Sequence, residues 1–218
     1  MTKYVSSLAG FLLGMLFLWA IYMVVRTSQA GRLAELELAK NGNDITNFVC
    51  PKTPVGRREA ILLNTKLDFG FILLYTLSIS AMAWAAAVQQ QRWSALLLLV
   101  VAAILTAAIC DVLENRAILT TVGGVSCQFN TFDAIRIHTP SRVKWACLYL
   151  ALALLGAAYL GIFRHSGVLR TAGVLLILCA AMGSVGLIAY TKLVAGSTVI
   201  LLIAVPIAMI GLWRLTPG

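Results

Sequence analysis

Three carboxylates stand beside long apolar stretches of this chain, where acidic side chains are rare. Asp68 precedes one apolar run, and Asp111 and Glu114 close the next one. A charged group at the edge of the hydrocarbon is costly unless it is paired or hydrated, so such residues are candidates for function. They could bind a cation or transfer protons. They could equally pair with Lys or Arg and only hold helix ends together.

Both groups of acids belong to polar stripes with helical spacing. The two apolar runs are joined by residues 89–92 only, so their helices must pair antiparallel. Residues whose numbers add to about 181 then lie level with one another. Asp68 is therefore level with residue 113, between the two other acids. The sequence predicts one polar pocket, with Tyr75 as its floor and a lysine as the cationic partner, formed by Asp68, Tyr75, Asp111, Glu114, Asn115, Lys66 and Lys144.

The composition excludes an ordinary soluble domain. The 218 residues are 61% hydrophobic and 11% charged, and the mean hydropathy is +0.92. Runs of this length that are apolar on all sides are typical of membrane-spanning helices. The chain is predicted to be an all-α, polytopic transmembrane bundle in a single domain. We expect six spans, at about 8–25, 69–88, 93–113, 145–163, 168–190 and 193–213.

Two polar segments, 26–67 and 114–144, are predicted to emerge on the face that carries the carboxylates. In the first, Pro54 favours the start of a helix that continues into the second span. In the second, Gly123 and Gly124 predict a break. Pro140 is then expected to begin the fourth span, preceded by a short surface turn. Most of the residues predicted to lie outside the membrane are therefore on that face.

The orientation in the membrane has two competing indications. Twelve Lys and Arg are predicted on the carboxylate face and five on the other, out of 17 in the chain. The positive-inside rule then places the carboxylate face in the cytoplasm, with Cys50 and Cys127 reduced. However, these are the two cysteines outside the spans, and both lie in loops of that face, as a periplasmic disulfide would require. The sequence favours the cytoplasmic placement and leaves the disulfide open.

Several classes of chemistry lack their residues. His138 and His165 are the only histidines and are predicted on opposite faces, so neither a zinc site nor a haem site is expected. No Gly-x-Ser-x-Gly motif is present. No ionisable residue lies near the middle of a span, which argues against an ion-coupled transporter. The net charge of +9 is spread over loops that flank spans, so it predicts contact with headgroups and not with nucleic acid.

The sequence around these acids resembles a family of bacterial integral membrane proteins of uncharacterised activity. The resemblance lies in Leu-Glu-Leu-Ala at 36–39, Leu-Asp-Phe-Gly-Phe at 67–71 followed by Tyr75, and Asp-Val-Leu-Glu-Asn at 111–115, with Lys144 opening the next span. It covers about residues 30–150. The resemblance supports the choice of residues and implies no activity, cofactor or catalytic role.

Three functional hypotheses follow. The leading one is a bacterial inner-membrane protein that is not an enzyme. It would bind a lipid or another amphipathic ligand at the carboxylates, or act as an accessory subunit of a membrane partner or homo-oligomer. The alternatives are an enzyme that acts at headgroup level, whose catalytic residues the sequence does not identify, and a small-solute transporter. No metal or other cofactor is expected in any of them.

Overall fold

The computed structural model describes residues 2–28, 33–50, 56–91, 94–124, 127–188 and 191–214. These residues form helices and connections, with no strand among them, so the predicted all-α class is confirmed. The helices are α1 (Thr2–Arg26), α2 (Leu33–Glu37), α3 (Gly42–Val49), α4 (Arg57–Gln90), α5 (Ala95–Gly123), α6 (Thr131–Ile162), α7 (Gly167–Ile188) and α8 (Thr191–Arg214).

The long helices form a closed ring. Each packs on its neighbours in the chain, in the order α1, α4, α5, α6, α7 and α8, and α8 returns to α1. At the closing contact, α1 places a glycine against a side chain of α8. A Cβ atom on Gly10 would lie 2.7 Å from Trp213 Cδ1, so a larger residue here would displace the tryptophan side chain.

Five of the helices are long and apolar enough to cross a membrane: Tyr4–Arg26 within α1, and α4, α5, α6 and α7. Their outward side chains are apolar, as in Leu98, Leu105 and Ile109 of α5. The chain is therefore an integral membrane protein by length and composition. Within α8, the described apolar stretch is Ile203–Arg214, which is shorter than a span. The sixth crossing remains a prediction.

The helices do not end where the carboxylates occur, which corrects the expected position of those residues. α5 continues from Asp111 to Gly123, and α6 begins at Thr131, so Pro140 lies inside a continuous helix and does not start it. α6 starts earlier because Asn130 and Asp133 form a capping box at its N-terminus. Pro140 leaves one carbonyl without its backbone donor, a loss that a helix of 32 residues tolerates.

The extended helix ends support a second apolar core outside the ring. α2 and α3 lie across the ends of α4, α5 and α6 and bury Ile45, Phe48, Ile61, Ile118 and Ile137 between them. We call α2 and α3 the cap. Its α3 helix begins with its own capping box, formed by Asn41 and Asp44. The predicted helix start at Pro54 lies outside the described residues, whereas the predicted continuity of this helix with the second span is confirmed from Arg57 onward, as α4.

The cap is joined covalently to the connection between α5 and α6. Cys50 and Cys127 form a disulfide, with their Cα atoms 6.2 Å apart. The prediction that these cysteines are reduced is therefore wrong. The two loops meet because α3 packs closely on the segment before α6. A Cβ atom at position 42 would collide with the backbone carbonyl of Phe129, and glycine avoids this collision.

Candidate functional site

Lys144 lies at the centre of the candidate site. Its Nζ atom is 2.7 Å from Glu114 Oε2, 3.1 Å from Asp111 Oδ1 and 3.3 Å from Glu37 Oε2. The three carboxylates come from α5 and from α2 of the cap, and the lysine comes from α6. Only 8% of the lysine side chain is exposed, so these ion pairs form away from bulk water. One ammonium thus holds the cap and two helices together.

A second set of hydrogen bonds joins α4 to α5. The Tyr75 hydroxyl donates to Asp111 Oδ2 at 3.0 Å, and Asn115 Nδ2 donates to Asp68 Oδ2 at 2.7 Å. The predicted register of the hairpin is confirmed within one helical turn, because Asp68 meets residue 115 where residue 113 was expected. We call the side chains that these contacts connect the carboxylate cluster. It comprises Glu37, Asp68, Tyr75, Asp111, Glu114, Asn115 and Lys144.

Glu37 and Trp145 were not predicted as site residues. Glu37 Oε2 accepts a hydrogen bond from Trp145 Nε1 at 2.9 Å, in addition to its ion pair with Lys144. The contact spans 108 residues of sequence and depends on how the cap folds back over the ring. The only local signal is a carboxylate between two leucines, which is an unfavourable position for an acid unless it finds a buried partner.

Lys66 does not belong to the cluster, which corrects its predicted role. Its side chain is exposed, and no ion pair with it occurs in the described part of the chain. The reason is helical geometry, because residues two apart point to nearly opposite sides of a helix. Since Asp68 faces inward, Lys66 must face outward. The same spacing places Arg142 on the surface while Lys144 is buried.

The carboxylate cluster lies between two apolar cores, one in the ring and one beneath the cap; Glu37 and Asp68 are partly buried, and its other members are buried. It contains four carboxylates and one ammonium. Glu114 is fully buried, and its Oε1 atom has no hydrogen-bond donor among the described residues. Buried negative charge of this kind is costly when it is unpaired. The cluster therefore has capacity to accept further protons or positive charge.

A cavity of about 240 Å³ extends from the carboxylate cluster into the centre of the ring. We call it the central cavity. Glu37, Asp68, Asp111 and Lys144 line its polar end. The walls beyond are mainly apolar and come from five helices of the ring, α1, α4, α6, α7 and α8: Leu13, Ile79, Met82, Leu152, Leu176 and Ala204 are among them. A molecule that fits this space would combine an apolar body with one polar end.

Below the central cavity the ring is closely packed. Ala86, Leu97, Tyr159, Leu169 and Leu212 are buried there, toward the face opposite the cap. Tyr159 is the one with a polar side-chain atom, and its hydroxyl has no hydrogen-bond partner in the described residues. The cavity is therefore closed on that side by apolar side chains.

The described residues contain no group of three or more His, Cys, Asp or Glu that could hold a metal ion. In the carboxylate cluster, Lys144 occupies the position between the acids that a cation would need. Comparison with protein-family models, with curated proteins and with solved structures finds no match to this chain. The resemblance to a family of bacterial membrane proteins thus stays a prediction.

Proposed function

We propose that this membrane protein binds an amphipathic ligand, with the apolar part in the central cavity and the polar end at the carboxylate cluster. The observation that carries the proposal is the form of the cavity, which has apolar walls contributed by five of the six ring helices and charged residues at one end only. Sites for such ligands combine a mainly hydrophobic lining with a few polar groups that fix orientation. Membrane lipids are the nearest source of molecules with this chemistry.

Binding fits the cavity better than transport does. A transport path would need polar or hydrated groups from one face to the other. In the described chain, the buried residues between the cavity and the opposite face are apolar except for Ser6 and Tyr159, and the Tyr159 hydroxyl has no hydrogen-bond partner there. A ligand can therefore enter from the cap side or from the side of the ring and would leave the same way.

The disulfide bears on orientation and localisation. We infer that the cap faces an oxidising compartment, which in a bacterial inner membrane is the periplasm. This orientation is opposite to the one that the basic residues favoured. Part of that count carries no topological information, because Lys144 is buried in ion pairs. The ligand would then be bound in the periplasmic half of the membrane.

The experiment is to fill the central cavity. Ala204 is fully buried and lines it, so Ala204→Phe places a ring in the space that the ligand would use. Ala102→Phe is the matched control, because Ala102 is exposed on the outer surface of α5. Each protein is purified without added lipid and examined by native mass spectrometry for amphiphiles that co-purify.

We expect the wild-type protein and Ala102→Phe to retain one amphiphile of defined mass. Ala204→Phe should lose it while keeping its helical content by circular dichroism. Retention of the same amphiphile by all three proteins would contradict binding in the central cavity, and so would a wild-type protein that carries none.

A second candidate function rests on one contact. Asp111 accepts hydrogen bonds from both Tyr75 and Lys144, and all three residues line the cavity. A carboxylate held between two hydrogen-bond donors can act as a general base, taking a proton from a bound headgroup while the two donors stay in place. This candidate predicts that the co-purified amphiphile is accompanied by a chemically altered product, which Tyr75→Phe would abolish without reducing binding.

A further inference from the structure

Asp68 differs from the other acids of the carboxylate cluster in its lack of an ion pair. Glu37, Asp111 and Glu114 each lie within 3.3 Å of Lys144 Nζ. Asp68 accepts one hydrogen bond, from the neutral amide of Asn115, through Oδ2. Within the described ranges, no Lys or Arg lies within ion-pairing distance of it. Its charge is therefore the least compensated of the four.

The position of Asp68 makes that charge available to a ligand. Asp68 lines the central cavity and also a second cavity of about 480 Å³, the side cavity, which lies between α1, α4 and α8. Leu16, Phe71 and Val205 are likewise shared by both cavities. A molecule that passes from one cavity to the other must pass this carboxylate.

The side cavity leads to the apolar surface of the ring. Val24, which is 68% exposed, is part of its wall, so the cavity reaches the outside between α1 and α8. The two helices touch at the opposite end, where Gly14 lies against Met209 and Gly10 against Trp213. Nearer the cap, the side cavity lies between them, lined by Phe17, Ala20 and Met23 of α1 and by Leu201 and Val205 of α8. An amphiphile can enter here with its chain still in an apolar environment.

We propose that Asp68 binds the positively charged headgroup of a long-chain amine that enters through the side cavity. This inference rests on the proposed function and specifies its ligand. The carboxylate cluster has four carboxylates but only one ammonium, that of Lys144. An alkylammonium would supply the missing hydrogen-bond donors and one further positive charge. A phosphate next to the amine would lie against the carboxylates of Asp68 and Glu37. Lys144 could not neutralise this phosphate, because its ammonium already contacts three carboxylates. The headgroup is therefore an amine without phosphate.

The test uses two probes of equal chain length, octadecylamine and octadecanol, each with a diazirine at the same carbon. The protein is reconstituted in nanodiscs of phosphatidylglycerol, which has no amine, and is photolabelled at pH 7. Mass spectrometry then gives the labelling of cavity residues such as Phe71 and Val205. Labelling of Leu98 and Leu105, on the outer surface of α5, corrects for the different partition of the two probes into the membrane.

After this correction, we expect the amine to label the cavity at least about tenfold more than the alcohol, the preference that one charge-assisted hydrogen bond gives. Asp68→Asn keeps the acceptor for Asn115 and should abolish the preference. Glu59→Gln removes an exposed carboxylate at the start of the same helix and should leave it unchanged. The wild-type comparison needs no variant, so it stands even where Asp68→Asn does not fold.

The remaining results separate the two proposals. Equal labelling of the cavity by both probes would overturn the cationic headgroup and leave amphiphile binding intact. If neither probe labels the cavity, both the cationic headgroup and the binding of an amphiphile are overturned. A preference that persists in Asp68→Asn would overturn the role of Asp68. Loss of amine labelling when phosphatidylethanolamine replaces phosphatidylglycerol would assign the ammonium to a phospholipid headgroup and overturn the phosphate-free ligand.

Discussion

At the scale of single residues, the carboxylate cluster depends on Lys144. Its ammonium is the only cation within reach of Glu37, Asp111 and Glu114 in the described chain. Three acids around one base are unfavourable in an apolar interior unless every ion pair and hydrogen bond is kept. Loss of the base should therefore cost more than loss of any one acid.

Lys144→Met tests this dependence, because methionine keeps the length of the side chain and removes its charge. We expect a loss of about 3–5 kcal/mol in the free energy of unfolding, the range observed when one partner of a buried ion pair is removed. Arg142→Met, two residues earlier and exposed, is the control and should change stability by less than about 0.5 kcal/mol. Thermal denaturation in mild detergent gives the comparison, and equal stability of the two variants would contradict the central position of Lys144.

Two buried tyrosines form a matched pair for the hydrogen bond to Asp111. Tyr75 donates to Asp111, whereas Tyr159 has no partner for its hydroxyl among the described residues. Tyr75→Phe should destabilise the protein by about 1.5–3 kcal/mol, because a buried carboxylate loses a donor. Tyr159→Phe should be neutral or stabilising, since it removes an unsatisfied hydroxyl. The reverse order of melting temperatures would be inconsistent with the site described here.

At the scale of helices, the site depends on close packing of α6 against α7, which holds α6 and its Lys144 in place. Gly156 and Gly173 face each other across this contact. A Cβ atom on Gly156 would lie 2.6 Å from the carbonyl oxygen of Gly173, and one on Gly173 would lie 2.9 Å from that of Gly156. Backbone atoms cannot move aside as a flexible side chain can, so both positions require glycine.

Gly156→Ala should therefore separate the helices and lower stability, with a cost in the range of about 1–3 kcal/mol typical of overpacked cores. Gly161→Ala in the same helix is the control, because nothing lies within 4 Å of its Cβ position. Alanine is the better helix former, so that variant should be as stable as the wild type or more so. Chemical denaturation monitored by circular dichroism measures both. Equal tolerance of the two substitutions would argue against tight contact between α6 and α7.

The sequence could predict the part of the site that α4 and α5 form, because a short link fixes how these two helices pair. Asp68 was expected level with residue 113, between Asp111 and Glu114, because the link at 89–92 is too short for any other pairing. The structure joins it to Asn115, within one helical turn of that position. Glu37 was missed because the segment 26–67 has no comparable constraint on where it folds. Lys66 could not join the cluster, because its spacing of two residues from Asp68 places it on the opposite side of α4.

At the scale of the whole molecule, the protein has two apolar cores with a charged layer between them. The cap converts acids that would have lain at the edge of the membrane into buried ones. The hydropathy of the sequence predicts the ring core, because spans are visible as apolar runs. It does not predict the second core, whose members Ile45, Ile61, Ile118 and Ile137 come from four separate helices and meet only in three dimensions.

The disulfide should contribute to the stability of the cap. Cys50 and Cys127 are separated by 77 residues, and a cross-link over a loop of this length stabilises a fold by about 4 kcal/mol through the entropy of the unfolded chain. Exchange of both cysteines for serine should lower stability by roughly 2–4 kcal/mol. The matched control is Cys179→Ser, which changes a buried cysteine without a disulfide.

The same bond reports orientation. In intact bacterial cells, an impermeant maleimide should label Cys50 and Cys127 only after treatment with an impermeant reductant, if the cap faces the periplasm. Labelling without the reductant would contradict the disulfide. Labelling of both cysteines only after the cells are made permeable would place the cap in the cytoplasm and overturn the inferred orientation.

Binding of an amphiphile can be seen in an experimental density map of the wild-type protein in lipid nanodiscs, prepared without detergent. We expect elongated density in the central cavity, with one end against Asp68 and Asp111 and the rest between Leu152 and Ala204. A cavity that contains only ordered water, or that has closed so that Leu152 packs on Ala204, would contradict the proposal that this protein binds an amphipathic ligand there.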